Sequence, residues 1–95
     1  MTAQQLYDDI LRYVGNENFA NWYVGITSDI HQRLFGDHTV HKINHRWIHG
    51  QALNAEHARV TESALLRLGF DGGSGGGDFT SAHVYAFRKD IGTRR

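Results

Sequence analysis

The run from Trp22 to Thr27, WYVGIT, constrains the fold of this chain more than any other feature. With Phe19 just before it, the run is rich in aromatic and β-branched residues, which favour extended backbone in a sheet. It predicts a strand from Phe19 to Ile26. Thr27 or Ser28 then has the residue type of a helix N-cap, so the strand is expected to lead directly into a helix.

Two longer segments carry the apolar periodicity of helices. The first runs from Thr2 to Val14, and the second from Ala55 to Leu68. Asn54 suits the N-cap of the second helix and Gly69 suits its C-terminal cap. The apolar stripe of the first helix consists of Leu6, Tyr7, Ile10, Leu11 and Val14.

The other segments are shorter. The helix after the first strand is predicted to run to about Phe35, to point Ile30 and Leu34 inward, and to end at Gly36. Strands are predicted at residues 46–50 and 83–88, loops at 37–45 and 70–78, and a frayed tail at 90–95. We therefore expect an α+β fold, with a small sheet of about three mainly antiparallel strands flanked by three helices.

The composition favours a single domain over residues 1–95, with room for one modest core. The absence of cysteine excludes disulfides and thiolate metal sites. No apolar run approaches the roughly 18 residues that a membrane span needs, and no signal peptide is visible. We expect a soluble, cytoplasmic protein with no membrane partner.

Charge is unevenly distributed along the chain, although the net charge is zero. The first 30 residues contain one basic and four acidic residues, whereas residues 31–95 contain nine basic and six acidic ones. The zero net charge argues against strong non-specific nucleic-acid binding. The later part of the chain still has the residues for a basic face, and ordinary mixed surface charge explains the same counts equally well.

Glu62 is the residue whose sequence position most strongly suggests a catalytic or metal-binding role. Its helix neighbours at i−4, i+3 and i+4 form part of the inward stripe: Ala58, Leu65 and Leu66. A carboxylate in such surroundings is costly unless it is paired or binds a metal. Glu62 is therefore a candidate metal-binding or acid–base group. The alternatives are a salt bridge to Arg33 or Arg59, or an exposed position at the edge of the stripe.

Tyr23 and Arg33 are predicted to face the same point, one from the strand and the other from the next helix. A guanidinium binds phosphate oxygens in bidentate fashion and stays charged, which suits the transition state of phosphoryl transfer. Each residue also has an ordinary interpretation. A strand tyrosine is commonly part of the core or the sheet surface, and a helix arginine is commonly a surface residue.

His38, His41, His45 and His49 recur at spacings of three and four, so a zinc cluster has to be considered. The segment has no carboxylate between the histidines, and solvated loop histidines or phosphate contacts are favoured instead. The glycine-rich run from Gly72 to Gly77 lacks the lysine of a phosphate-binding loop and precedes a strand. It is either a mobile flap over a substrate or a long connection.

Tyr23-Val24-Gly25, followed by Thr27, Arg33-Leu34 and His38, resembles the second half of the GIY-YIG endonuclease signature. The segment from Ala58 to Leu65, ARVTESAL, looks like the family's helix with the metal-binding glutamate, which here is Glu62. The resemblance covers roughly residues 22–68. It implies a GIY-YIG-like fold and hydrolysis of phosphodiester bonds.

The first half of the signature is missing from its usual place, because an amphipathic helix precedes the Tyr-Val-Gly strand. Tyr13 lies ten residues before Tyr23, a separation that resembles the one in the family's signature, but it belongs to that predicted helix. The last predicted strand resembles the missing one in character and is expected to pair beside the first strand, as in a permuted arrangement. Tyr85 would then supply the second tyrosine, with its hydroxyl near Glu62 or Arg33. The family's late asparagine has no evident counterpart.

The resemblance implies one Mg²⁺ or Mn²⁺ on Glu62, which would polarise the scissile phosphate. Tyr85 or Tyr23 would help to deprotonate or orient the attacking water, and its pKa would need lowering by the metal and by Arg33. Arg33 would stabilise the transition state, and His38 would contact phosphate or assist proton transfer. No nucleotide cofactor is implied. Contacts to DNA are predicted for Arg46, His49, Arg59, Arg88 and Lys89.

Two functions remain open at this point. The first is a small metal-dependent endonuclease acting on DNA, which the joint presence of Tyr23, Arg33 and Glu62 favours. The second is a non-catalytic nucleic-acid- or protein-binding module on the same fold, such as a mobile-element or phage accessory protein. The zero net charge and the displaced half of the signature favour it. A nuclease this small would have to form a homodimer, or act twice, to cut both strands.

Overall fold

The computed structural model describes residues 1–73 and 80–95 of the chain. Within them are two α-helices, α1 (Ala3–Val14) and α2 (Ala55–Leu68). The strands are β1 (Trp22–Thr27), β2 (Trp47–Gln51) and β3 (His83–Arg88). A π-helix, Gln32–Asp37, follows β1, and a short 3-10 helix, Phe19–Asn21, precedes it.

The three strands form one antiparallel sheet in the order β1-β3-β2, so the last strand of the chain is central. Its ladder with β1 pairs Gly25 with Tyr85 and Tyr23 with Phe87. The predicted α+β class, a three-stranded antiparallel sheet with three helices, is confirmed. The expected pairing of the last strand beside the first is also confirmed.

The two α-helices pack on one face of the sheet and form the larger core with it. Successive side chains of a strand point to opposite faces, so Trp22, Val24 and Ile26 of β1 all point into this core. The core side chains of α1 are Leu6, Ile10 and Val14, as the periodicity predicts. Those of α2 include Ala58 and Leu65.

The predicted boundaries of α2 are confirmed because its capping residues act as expected. The Asn54 side chain accepts the His57 N–H at 2.9 Å. Gly69 ends the helix with a φ of 114°, a left-handed conformation that favours glycine.

The opposite face of the sheet, the tyrosine face, carries Tyr23, Tyr85, Phe87 and Trp47. A second and smaller core covers it, in which Leu34 and Val40 pack against these rings. The prediction that residues 37–45 form a polar loop therefore misses two buried side chains, His38 and Val40, each only 4% exposed.

The start of β1 was predicted wrongly. The strand begins at Trp22 rather than Phe19, because the Asn18 side chain accepts the Ala20 N–H at 3.0 Å and stabilises the short 3-10 helix. Phe19 instead stacks on Phe70, with ring centroids 5.1 Å apart.

The helix after β1 also differs from its prediction. Gly36 does not end it, since the π-helix passes through this residue to Asp37. The capping carboxylate is Asp29, which accepts the Gln32 N–H at 3.2 Å. Thr27 instead accepts the N–H of Asp29 and so fixes the turn between β1 and the helix.

Residues 90–95 are not a frayed tail. The Arg94 N–H donates to the His38 carbonyl at 2.7 Å, and the Arg95 guanidinium pairs with Asp71 at 2.9 Å. The tail therefore docks against the second core. Most of the glycine-rich run, from Ser74 onwards, lies outside the described residues. No helix in the described ranges is long and apolar enough to span a membrane.

Candidate functional site

Tyr85 lies at the centre of the tyrosine face, on the middle strand, with only 1% of its surface exposed. Its ladder partner on β1 is Gly25. A β-carbon on Gly25 would overlap the Tyr85 hydroxyl and come within 2.5 Å of ring Cζ. The glycine of the Tyr-Val-Gly run is therefore needed because the Tyr85 ring lies across it.

His38 lies directly beside Tyr85. Its Nε2 is 2.7 Å from the Tyr85 hydroxyl, and its Nδ1 is 2.6 Å from the Arg94 carbonyl oxygen. The ring of Tyr23 packs on the other side, with its centroid 4.9 Å from that of His38. Tyr23, His38 and Tyr85 thus form one cluster on the tyrosine face.

The π-helix brings Arg33 to this cluster. The His38 N–H donates to the Arg33 carbonyl at 2.9 Å, an i to i−5 bond of the kind that frequently marks functional sites. The guanidinium forms an exposed ion pair with Asp37 at 3.2 Å and also interacts with Tyr85. Its Nε atom is buried and has no hydrogen-bond partner among the described residues.

The electrostatics of the cluster oppose ionisation of Tyr85. Burial raises the pKa of Tyr85 well above its ordinary value, and the nearby Arg33 charge opposes this only in part. The protein alone therefore does not lower the pKa of Tyr85, and the lowering by a bound metal that the resemblance implies stays a prediction. Burial likewise lowers the pKa of His38, and the hydrogen bond to the Arg94 carbonyl opposes this only in part. The shift favours the neutral form of the imidazole.

Tyr23 stands at the edge of the cluster, next to Lys89, a predicted DNA contact, and to Asp71 and Arg95, which the sequence did not single out. Asp71 forms a parallel bridge with Tyr23 along the outer edge of β1. The Asp71 carboxylate binds the side chains of Lys89 at 3.1 Å and Arg95 at 2.9 Å. The hydrogen bond to Arg95 lowers the pKa of Asp71. Arg95 lies close enough to Tyr23 for the two to interact electrostatically.

Glu62 is half-buried on α2 and has no hydrogen bond or ion pair with the described residues. The predicted alternative of a salt bridge to Arg33 or Arg59 is therefore not observed. Burial raises the pKa of Glu62, and the Arg59 charge opposes this only in part. Its negative charge in turn contributes to the raised pKa of Tyr85, which indicates that the two groups lie within electrostatic range.

These properties fit a Mg²⁺ or Mn²⁺ ligand. Mg²⁺ commonly keeps several waters and is held by one or two carboxylates together with substrate phosphate oxygens. Glu62 offers such a carboxylate, and it is not neutralised by any described side chain. The described ranges contain no group of three histidine, cysteine or acidic residues that could hold a metal alone. Glu62 would thus need the phosphate as a second ligand.

Two of the loop histidines have structural partners. His41 Nδ1 accepts the backbone N–H of Asn44 at 3.2 Å. His45 Nδ1 accepts the His41 N–H, so its Nε2–H donates to the Ile91 carbonyl at 3.0 Å. These contacts fold the loop and attach it to the tail.

Three of the five predicted DNA contacts are paired with carboxylates. Arg46 and Arg88 both pair with Glu17, and Arg46 also lies over the Trp22 ring. Lys89 pairs with Asp71. The remaining two, Arg59 and His49, are exposed and unpaired with any described carboxylate. His49 belongs to the tyrosine face, where it stacks on Trp47 with ring centroids 5.8 Å apart.

The sequence reasoning missed the contribution of the tail. Arg94 supplies a backbone carbonyl to His38, and a carbonyl leaves no signal in residue type. Arg95 did carry a signal, because it is one of two adjacent arginines, Arg94 and Arg95. Comparison of the chain with protein-family models, curated proteins and solved structures gave no match.

Proposed function

We propose that this protein is a small metal-dependent endonuclease that hydrolyses DNA phosphodiester bonds, with a permuted GIY-YIG arrangement. The observation that carries the proposal is the convergence of Tyr85, His38, Tyr23 and Arg33 on one face of the sheet. Tyr85 comes from the central strand and lies across Gly25, which gives the Tyr-Val-Gly run a second tyrosine despite the missing first strand.

Each residue of the site has its own role in the proposed reaction. The Arg33 guanidinium, whose side chain is 39% exposed, stabilises the negative charge that develops on the phosphoryl oxygens. Tyr85 and Tyr23 orient the attacking water, and His38 assists proton transfer from it. Glu62 would hold the divalent ion, which supplies polarisation of the scissile phosphate.

The second candidate is a non-catalytic nucleic-acid- or protein-binding module on the same fold. The engagement of Arg46, Arg88 and Lys89 by carboxylates favours it, because DNA would have to compete with these pairs. The raised pKa of Tyr85, which results chiefly from burial, also disfavours a free phenolate base.

The test is cleavage of supercoiled plasmid DNA with Mg²⁺ or Mn²⁺ as the only divalent ion. We expect nicking that EDTA abolishes and that Glu62→Ala and Arg33→Ala reduce by about 100-fold or more. Glu56→Ala is the matched control, since Glu56 is an exposed carboxylate in the first turn of the same helix. It should cleave like the wild-type chain.

The outcomes separate the two candidates. Cleavage that survives Glu62→Ala would mean that the activity comes from another site or another protein. DNA binding without any cleavage would favour the binding module. A protein that binds no nucleic acid even at low salt would contradict both candidates and point to a protein partner.

A further inference from the structure

We propose that the C-terminal segment, residues 90–95, is a positioning element that fixes the tautomer of His38 and so makes His38 the proton acceptor for Tyr85. The inference deepens the proposed function and rests on it. It assigns a role to a backbone group, the Arg94 carbonyl, and to a segment outside the elements that form the sheet.

The segment is held against His38 by reciprocal contacts. The Arg94 N–H donates to the His38 carbonyl at 2.7 Å, while the Arg94 carbonyl lies 2.6 Å from His38 Nδ1. Two further bonds anchor the segment at its start: the Thr39 hydroxyl donates to the Gly92 carbonyl, and His45 donates to the Ile91 carbonyl. The bonds of Thr39 and His45 thus fix the start of the segment, and the bond from the Arg94 N–H fixes its end. Together they hold the Arg94 carbonyl beside His38 Nδ1.

A carbonyl oxygen can only accept a hydrogen bond, so the Nδ1 of His38 must carry a proton. In a neutral imidazole the other nitrogen is then an acceptor. The Tyr85 hydroxyl, 2.7 Å away, consequently donates its proton to Nε2. Without the Arg94 carbonyl, the ring would be free to carry its proton on Nε2 and to donate to Tyr85 instead.

This arrangement allows water to be activated without a stable phenolate. As the water oxygen bonds to phosphorus and the bond to the leaving oxygen breaks, the water proton moves to the Tyr85 oxygen. The proton already on Tyr85 passes to His38 Nε2, which gives an imidazolium whose Nδ1–H remains on the Arg94 carbonyl. The proton then leaves His38 for the leaving oxygen or for solvent.

The experiment combines imidazole ¹⁵N spectra of the metal-free protein with plasmid cleavage rates. Arg94→Pro removes the N–H that holds the segment to His38. Ala55→Pro is the matched control, because Ala55 is the first residue of α2, a helix position that suits proline, and it lies outside the segment. Arg94→Ala keeps the carbonyl and removes only the side chain.

We expect His38 to be protonated on Nδ1 in the wild-type chain, in Ala55→Pro and in Arg94→Ala. In Arg94→Pro we expect a mixture of tautomers and a cleavage rate lower by about 100-fold, with Ala55→Pro unchanged. An Nε2-protonated wild type, or an Arg94→Pro variant with unaltered spectra, would overturn the inference. A wild type with the expected tautomer but no cleavage would support the positioning role and contradict the nuclease proposal.

Discussion

Burial disfavours the charged form of both Glu62 and His38. Glu62 is a half-buried carboxylate without a described partner, and burial raises its pKa. His38 is a buried imidazole, and burial lowers its pKa. Both shifts reduce the stability of the folded chain at some pH, and such costs are typical of functional sites rather than of a packed core.

Replacing Glu62 by glutamine should stabilise the metal-free protein at pH 7. A carboxyl group whose pKa is raised on folding favours the folded state only while it is protonated. Its contribution is therefore lost as pH rises through the folded pKa. Urea unfolding of Glu62→Gln should show the gain at pH 7, and the gain should shrink as pH falls toward 4.5. Glu56→Gln, on the exposed face of α2, should show no gain, and an equal gain there would contradict the account.

The stability of the wild-type chain should fall as pH decreases below about 6.5, the ordinary histidine pKa. Because the pKa of His38 is lowered on folding, the unfolded chain takes up the proton first and the folded state loses stability as pH falls. His49 acts in the same direction. Unfolding experiments between about pH 7.5 and 5.5 should give a smaller loss for His38→Gln than for the wild type. Equal losses in the two proteins would show that His38 is not the cause.

At the scale of secondary-structure elements, the antiparallel pairing of β1 with β3 depends on Gly25. Gly25→Ala would force the Tyr85 ring out of its position, and overpacking of this kind costs about 1–3 kcal/mol. We expect chemical denaturation to show a loss of that size, together with loss of cleavage.

Gly36→Ala is the matched control for this substitution. Its β-carbon would meet only the end of the Gln32 side chain, which can move, and the position is helical. We expect a change in unfolding free energy within about 1 kcal/mol, with alanine favoured. If Gly36→Ala is as damaging as Gly25→Ala, the Tyr85 contact is not what makes Gly25 necessary.

The elements that sequence could predict are those with a local signal. Asn54 and Gly69 delimit α2 because capping is decided by neighbouring residues, and β3 matches its prediction to the residue. The 3-10 helix before β1 and the π-helix after it depend on side-chain contacts of Asn18 and on the burial of Leu34. The docked tail depends on pairing between residues more than 50 positions apart, such as Arg94 with His38. A pairing between residues so far apart in the chain leaves no signal in the local sequence pattern.

The sequence predicts which residues belong to the candidate site but not how they are arranged in space. Residue type and order gave Tyr23, Arg33, His38 and Glu62, and strand character gave Tyr85. The sheet order places β3 in the centre, and Tyr85 on this strand contacts His38. Neither fact can be read from the local sequence. The raised pKa of Tyr85 follows from burial in the second core.

At the scale of the whole molecule, the ion pairs offset much of the basic charge. Glu17 pairs with both Arg46 and Arg88, so its removal would release Arg46 and leave Arg88 with only Asp90, 4.0 Å away. Under the nuclease proposal, Glu17→Gln should bind DNA more tightly and steepen the salt dependence by up to about two phosphate contacts. Binding titrations at several salt concentrations measure this slope.

The control for that prediction is Asp9→Asn, which changes the net charge by the same amount but releases only Arg12, at the exposed surface of α1. We expect its salt slope to stay close to that of the wild type. Equal slopes for Asp9→Asn and Glu17→Gln would assign the effect to net charge and not to the release of Arg46 and Arg88.

The proposed mechanism requires the Tyr85 hydroxyl to take part in hydrolysis of the phosphodiester. Its most direct test is the Mg²⁺-dependent plasmid nicking rate of Tyr85→Phe beside that of Tyr7→Phe, a half-buried tyrosine that packs against the larger core. Both variants lose one hydroxyl and keep the ring. The account predicts that Tyr85→Phe is slower by about 100-fold or more while Tyr7→Phe keeps the wild-type rate. A Tyr85→Phe variant that nicks DNA at the wild-type rate would contradict it.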